Sequence, residues 1–294
     1  MKLAFFGLPL AAALLARDGH TIVFGAACGP GPGLRRLTRR IAPGRTELKP
    51  DASSNATLER VRAAAPDLIV SWFWTTKLPP SLLSLAPAVG VHPSLLPRHR
   101  GPDPYFWAID SGDQVTGVTA HLLDTEYDTG AVLARRELPI APTYNAWQLA
   151  RALDRPSLTL LRDVVRAYAE GHPPAPEPQD DSLATEAPEP SDADLAIRWS
   201  WPSSRVCRRV RAAAPWPGAW TEIDGHIVTL VKVRATVDFP RALEPGEAAV
   251  RLDGRAVVRT GDDAVELLEG RDEEDRTISC EDLALRVRKA REGG

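Results

Sequence analysis

The sequence predicts an α/β protein in which a domain with a mostly parallel sheet is followed by a small β-barrel domain. Three observations carry this. First, short apolar runs at 2 to 6, 21 to 24, 67 to 73, 88 to 91 and 117 to 123 alternate with helical patterns at 8 to 17, 56 to 64, 80 to 86 and 103 to 111. Strands that alternate with helices imply a parallel sheet. Second, the composition changes at 171 to 190, GHPPAPEPQDDSLATEAPEP, where prolines and acids predict an extended, semi-rigid linker. Third, short strand-like runs at 219 to 223, 227 to 235, 248 to 252, 256 to 260 and 265 to 268 are separated by turn signals such as Asp224-Gly225 and Asp253-Gly254, the pattern of a small barrel. The expected division is a first domain at 1–170, a linker at 171–190 and a second domain at 191–294.

Each element has a local reason. The apolar start, MKLAFFGLPLAAALLA, has the length of a signal-peptide core, but Gly7 and Pro9 interrupt it after a strand-like KLAFF. With the second run at 20 to 25 it reads as a β-α-β unit. Residues 144 to 170 carry heptad-like apolar positions and predict a long helix that Pro156 kinks or divides. Residues 203 to 214 form a basic helix candidate, and 281 to 292 a terminal helix. The chain has 294 residues, 44% of them hydrophobic, which is enough for two cores and unlike a disordered composition. A net charge of −3 gives no gross positive field toward nucleic acid. Cys28, Cys207 and Cys280 form no CxxC, which fits a reducing, cytoplasmic setting. No apolar stretch has the length of a bilayer span.

The chemistry concentrates between His92 and Asp128. An apolar strand delivers His92 into Ser94-Leu95-Leu96-Pro97, and a basic loop with Arg98, His99, Arg100 and Gly101 follows. A second strand carries His121 and runs into Asp124, Glu126 and Asp128. Imidazole with carboxylate moves protons at neutral pH, and ligands bind at strand ends in open α/β sheets. His92, His121 and Asp128 are therefore expected to face one cleft at the carboxyl ends of the sheet. Other motifs carry less. Gly29-Pro30-Gly31-Pro32-Gly33 follows the second strand, but proline lacks the N–H that a phosphate cradle needs.

 

The segment is therefore read as a plain loop. Arg35, Arg36, Arg39, Arg40 and Arg45 form the densest basic segment, read first as a solvated helix face and second as a contact for an anionic acceptor. His92, His121 and Asp128 lack the dense ligand spacing of zinc sites, and no metal is expected.

Taken together, KLAFFG, HPSLLPRHRGP, TGVTAHLLDTEYDTG, IRWSWP and APWPGAW resemble the formyltransferases that use 10-formyltetrahydrofolate, over essentially the whole chain. The resemblance implies a Rossmann-like formyltransferase domain and an OB-like C-terminal domain, with 10-formyltetrahydrofolate as formyl donor. It implies His92 and Asp128 as catalytic residues, with His121 lining the same pocket. As an imidazolium, His92 would stabilise the oxyanion, with Asp128 keeping it charged and helping to move the amine proton. It also implies a folate pocket from Trp74, Thr75, Thr76, Lys77 and Leu78 together with Leu123, Asp124 and Tyr127. Arg98, Arg100 and Gly101 are expected to contact the acceptor. The family's catalytic asparagine, two residues before the histidine, is Gly90 here. Its absence is expected to limit catalysis, since one oxyanion donor contributes on the order of 10²–10³ in rate.

These motifs leave the acceptor open. SWFWTTKLPPSLLSLAP and the GVTAH strand are closer to enzymes for small amines, such as amino sugars on nucleotides or hydroxyornithine, and Trp199-Ser200-Trp201-Pro202 resembles the latter. A small amine is therefore expected ahead of methionyl-tRNA. A non-catalytic folate-binding relative is the third alternative, prompted by Gly90. No membrane and no obligate protein partner are expected.

Overall fold

The computed structural model describes residues 1–29, 32–39, 41, 44–223 and 225–292. Pro30 and Gly31 of the glycine-proline run, Arg40 of the basic segment and Asp224 of one turn signal lie outside them, as do the side chains of Pro32, Gly33 and Arg36. The chain forms two compact units. One comprises Met1–Pro104, Val115–Pro139 and Ala152–Pro188; the other comprises Tyr105–Gln114, Ile140–Arg151 and the chain from Glu189 onward. The units are thus interleaved in sequence, whereas the sequence expectation drew a single linker between contiguous domains.

The first unit is built on β1 (Lys2–Gly7), α1 (Pro9–Arg17), β2 (Thr21–Ala27), α2 (Pro32–Thr38), β3 (Thr46–Leu48), α3 (Asn55–Ala64), β4 (Leu68–Trp72), α4 (Pro80–Leu83) and β5 (Ala88–His92). After α5 (Pro104–Ser111), which from Tyr105 belongs to the second unit, come β6 (Val115–Leu122), β7 (Val132–Pro139) and α6 (Ala146–Ala169), which belongs to the first unit from Ala152. The seven-stranded sheet has the order β3-β2-β1-β4-β5-β6-β7. It is parallel from β3 to β5, and β6 runs antiparallel to both β5 and β7. The strands near the middle read as continuous apolar runs because both faces are covered, as in buried parallel sheets; β1 is buried from Leu3 to Gly7. On one face Phe6, Phe24, Val61, Ile69, Leu78, Leu82 and Ala88 form a core cluster against which Trp74 and Leu123 pack. Pro156 does not divide α6, which is continuous from Ala146 to Ala169. Next to it in sequence, the Ser157 hydroxyl accepts a 2.8 Å hydrogen bond from the buried Trp72 indole.

In the second unit, α7 (Asp192–Leu195) and α8 (Ser203–Ala213) precede β8 (Ala219–Ile223), β9 (His226–Thr236), β10 (Ala248–Val250), β11 (Ala256–Arg259), β12 (Ala264–Arg271), β13 (Thr277–Ser279) and α9 (Cys280–Glu292). The strands form an antiparallel sheet of order β10-β11-β12-β9-β8, with β13 paired to β12. This is a curled half-barrel. Register shifts in β12 near Leu267, Glu269 and Gly270 bend the sheet, as bulges do. Phe239, Leu243, Ala249, Val257 and Ala264 fill part of its core. Among the described residues no helix is long and apolar enough to cross a membrane.

Candidate active site

The site begins with the direction of β6. Because β6 is antiparallel to β5, His121 pairs with Gly90, and Thr119 pairs with His92. His121 therefore lies two residues back along β5 from His92, on the same face, since side chains alternate with a period of two. The expected placement at the carboxyl ends of the strands holds for His92, the last residue of β5. His121 is near the carboxyl end of its own strand, but that end lies beside the start of β5. The 123–131 loop then turns back, and Asp128 closes the group.

The distances define one cluster. His92 Nδ1 lies 3.3 Å from Asp128 Oδ2, and His121 Nε2 lies 3.6 Å from Asp128 Oδ1. His92 Nε2 is 2.8 Å from the His99 carbonyl. Both neighbours of the His92 ring are acceptors, so only the doubly protonated ring donates to both. The His121 Nδ1 is 2.8 Å from the Leu122 carbonyl. Burial holds the His121 imidazole below its usual range; Asp128 opposes this, and His92 adds to it.

Two loops hold these groups in place. In the first, the Ser94 hydroxyl donates to the Arg98 carbonyl, and Thr119 both donates to the Ser94 carbonyl and accepts from the Leu96 amide. His99 takes the left-handed conformation, φ 59°, while its carbonyl meets His92. Such a backbone costs about 1–2 kcal/mol for a residue of this type and persists where its surroundings fix it. In the second loop, Asp124 accepts from the Glu126 amide and the Thr129 hydroxyl. Gly130 is needed there because a Cβ would lie 1.9 Å from the Leu122 carbonyl oxygen.

Arg100 and Gly101, expected at the acceptor, brace the Asp128 loop from within the protein. The Gly101 amide donates to Asp128 Oδ2 at 3.0 Å. Gly101 has φ 121°, and a Cβ would lie 2.8 Å from the Ala187 carbonyl oxygen, so glycine is required on both counts. The buried Arg100 guanidinium donates to Gln179 Oε1 and Asp181 Oδ1. Gln179 in turn donates to the Asp128 and Gly130 carbonyls, at 2.7 Å each. Arg98 is half-buried, and its amide donates to the Leu95 carbonyl.

Gln179 and Thr185 were missed by the sequence reading. The proline-rich segment is largely extended, with one 3-10 turn at Asp181–Leu183, and it runs along the first unit. Glu177 and Val132 exchange backbone hydrogen bonds, Thr185 bonds to Pro97 and Arg100, and Ala187 bonds to Arg100 and Asp103. The Thr185 hydroxyl also accepts from the His99 amide. This strip ties both site loops together. The only available hint in the sequence was Arg100 itself, because a buried guanidinium needs acceptors.

The two segments expected to hold folate also meet. Leu78 is in the core cluster against which Trp74 and Leu123 pack. Lys77 Nζ donates to Glu126 Oε2 at 2.8 Å and sits 4.9 Å from the centre of the Tyr127 ring. Thr75, Thr76, Asp124 and Tyr127 are exposed. Trp74 stands edge-on to Phe6, and its buried indole N–H has no hydrogen-bond partner among the described residues.

The chain thus carries a mostly parallel Rossmann-like sheet with a His-Asp-His cluster and an antiparallel half-barrel, the architecture of a two-domain α/β protein with a site suited to moving protons. The formyl transferase family model matches residues 39–165, and the formyl transferase C-terminal domain model matches residues 191–288. The chain is 35% identical over 287 residues to methionyl-tRNA formyltransferase of Chloroflexus aurantiacus, covering 92% of this chain and 91% of that protein. This chain belongs to the formyltransferase family. Among solved structures it is similar to HypX from Aquifex aeolicus in complex with tetrahydrofolic acid, with a TM-score of 0.64 and 22% identity. That match covers 95% of this chain and 46% of the other, so this chain spans about half the length of HypX. A sugar N-formyltransferase from Shewanella sp. matches with a TM-score of 0.63 and 16% identity, covering 78% of this chain and 96% of that one.

Proposed function

We propose that this chain transfers the formyl group of 10-formyltetrahydrofolate to a primary amine at the His92, His121 and Asp128 cluster. The observation that carries this reading is the convergence of two imidazoles on one carboxylate, anchored by the Gly101 amide. In this reading a charged His92 ring, its two nitrogens facing Asp128 and the His99 carbonyl, stabilises the developing negative charge on the formyl oxygen through space, and Asp128 orients His92 while sharing the proton traffic.

The folate, a substrate consumed in the reaction, suits the 74–78 and 123–127 segments. Apolar walls from Leu78 and Leu123 fit a flat heterocycle, and the orphaned Trp74 N–H offers a buried donor. An unsatisfied buried donor costs about 1–3 kcal/mol, which a ligand acceptor would recover. Titration with tetrahydrofolate should change tryptophan fluorescence and protect both segments from hydrogen exchange. The Trp74→Phe variant, which keeps the ring but loses the N–H, should bind about tenfold more weakly. Equal affinity in the variant would remove the indole from the site.

Full-length similarity to a methionyl-tRNA formyltransferase across both domains supports the α-amine of methionyl-tRNA as acceptor. A second reading, a small amine such as an amino sugar, rests on the SWFWTTKLPPSLLSLAP and GVTAH motifs. Mass spectrometry of the products formed from 10-formyltetrahydrofolate with methionyl-tRNA and with a panel of small amines separates the two. Folate binding without any formylated product would support the non-catalytic alternative. The three free cysteines are consistent with work in a reducing cytoplasm.

Gly90 gives a further test. A Cβ there would lie 2.8 Å from Leu123 Cδ2, the flexible end of a side chain, and the backbone has no positive φ. The Gly90→Asn variant should therefore fold once Leu123 shifts, and should raise turnover about tenfold or more by adding an oxyanion donor. A folded variant with unchanged turnover would show that another group already supplies that donor, and lower turnover would show that the added side chain obstructs the site beside His121 Nε2.

A further inference from the structure

His121 carries a chemical consequence beyond lining the pocket. Its Nδ1 faces the Leu122 carbonyl at 2.8 Å, and a carbonyl oxygen only accepts, so the neutral ring holds its proton on Nδ1. Nε2 is then a lone pair. It faces Asp128 Oδ1 at 3.6 Å, and an ionised carboxylate oxygen is also only an acceptor. The other carboxylate oxygen, Oδ2, is the one engaged by the Gly101 amide and closest to His92. Two acceptors therefore lie side by side, 3.6 Å apart, so that one donor with more than one hydrogen placed beside the pair can reach both. Position 90, directly across the strand pair, bears no side chain of its own; a Cβ there would lie 3.6 Å from Nε2 and 2.8 Å from Leu123 Cδ2, so the flexible Leu123 end is what borders this side of the ring. The buried ring is also held toward its neutral form, which preserves the lone pair at neutral pH.

We propose that His121 is the base for the attacking amine: His121 Nε2 and Asp128 Oδ1 together hold the amine N–H groups, and Nε2 removes one proton. This rests on the formyl-transfer reading above. As the amine nitrogen bonds to the formyl carbon, the carbonyl electron pair moves to the oxygen, and one amine proton passes to Nε2. The carbon–nitrogen bond to folate then breaks as the carbonyl re-forms. The departing folate nitrogen takes up the proton from His121, directly or through water. One amine and one 10-formyltetrahydrofolate give one formamide and one tetrahydrofolate, with no net gain or loss of protons.

The test is the pH dependence of kcat/KM with the acceptor that the product analysis identifies. The wild-type rate should fall at acidic pH along a limb lying below the usual imidazole range, because protonated His121 cannot act as base. His121→Gln should lower the rate about a hundredfold and remove that limb. In His121→Ala, added imidazole should restore turnover, more so with more basic imidazoles. A purely structural role would give neither rescue nor a changed limb, and either result with a folded variant overturns the proposal while leaving the formyl-transfer reading intact. Absence of turnover by the wild type with every amine would instead defeat that reading, and the proposal with it. Nitrogen NMR of the wild-type protein provides a check that needs no variant: the neutral ring should carry its proton on Nδ1, and a proton on Nε2 would overturn the assignment.

Discussion

Asp128→Ala is expected to lower formyl transfer by about 10²–10⁴-fold while leaving folate binding in place. The carboxylate is the group on which the cluster converges: it accepts from the Gly101 amide, lies 3.3 Å from His92 Nδ1 and 3.6 Å from His121 Nε2. Without it, two imidazoles are left without the shared group that orients them, and the Gly101 N–H loses its acceptor. The backbone around position 128 is held independently, because Gln179 donates to the carbonyls of Asp128 and Gly130. The loop should therefore survive the loss of the side chain. Asp128→Asn is the sharper variant. It preserves volume, but one carboxylate oxygen becomes an amide donor and the negative charge is lost. A large fall in kcat with near-normal tetrahydrofolate affinity is the expected result for both. Turnover of Asp128→Asn within a few-fold of wild type would remove Asp128 from the chemistry.

His92 and Asp128 were legible because each terminates a local pattern: an apolar strand runs into a histidine and a proline elbow, and an acidic loop ends in Asp-Thr-Gly. The partners that fix them were not legible. Gln179 lies in a proline-rich stretch whose local signals predict an extended chain, and that is what forms. Nothing local states where an extended chain will lie, and its position follows from backbone pairing of 185–187 with the 97–103 loop. The same limit explains Arg100. The sequence places it at the acceptor, and only the fold brings Gln179 and Asp181 within its reach. Strand direction was another gap: β6 has the apolar pattern of its parallel neighbours but runs the other way. Short or half-exposed strands were missed for want of pattern. β3 has only three residues, and β7 is largely exposed after its first two positions. In the second unit, β13 is again only three residues long.

The second unit should respond most strongly to loss of Asp110. Asp110 is 1% exposed, and its carboxylate accepts from Arg205 and Arg209 of α8. Arg205 and Arg209 are four residues apart, so both project from one side of the helix, the side that also presents the buried Val206, Val210 and Ala213. The basic helix read from the sequence thus turns two of its charges toward a carboxylate. The Arg209 guanidinium is also 5.0 Å from the centre of the Trp201 ring and 5.5 Å from that of Phe106. Asp110→Ala would leave Arg209, itself only 4% exposed, buried without its counter-charge. Removing one partner of a buried pair typically costs about 3–5 kcal/mol, because the remaining charge keeps its desolvation penalty. A loss of that size should lower the denaturant midpoint clearly, and raising the salt concentration should not reproduce it in the wild type, because buried pairs are poorly screened. Asp110→Asn should cost less, since its amide oxygen still accepts from one guanidinium. An unchanged midpoint in Asp110→Ala would mean that water reaches Arg209 once the carboxylate is gone.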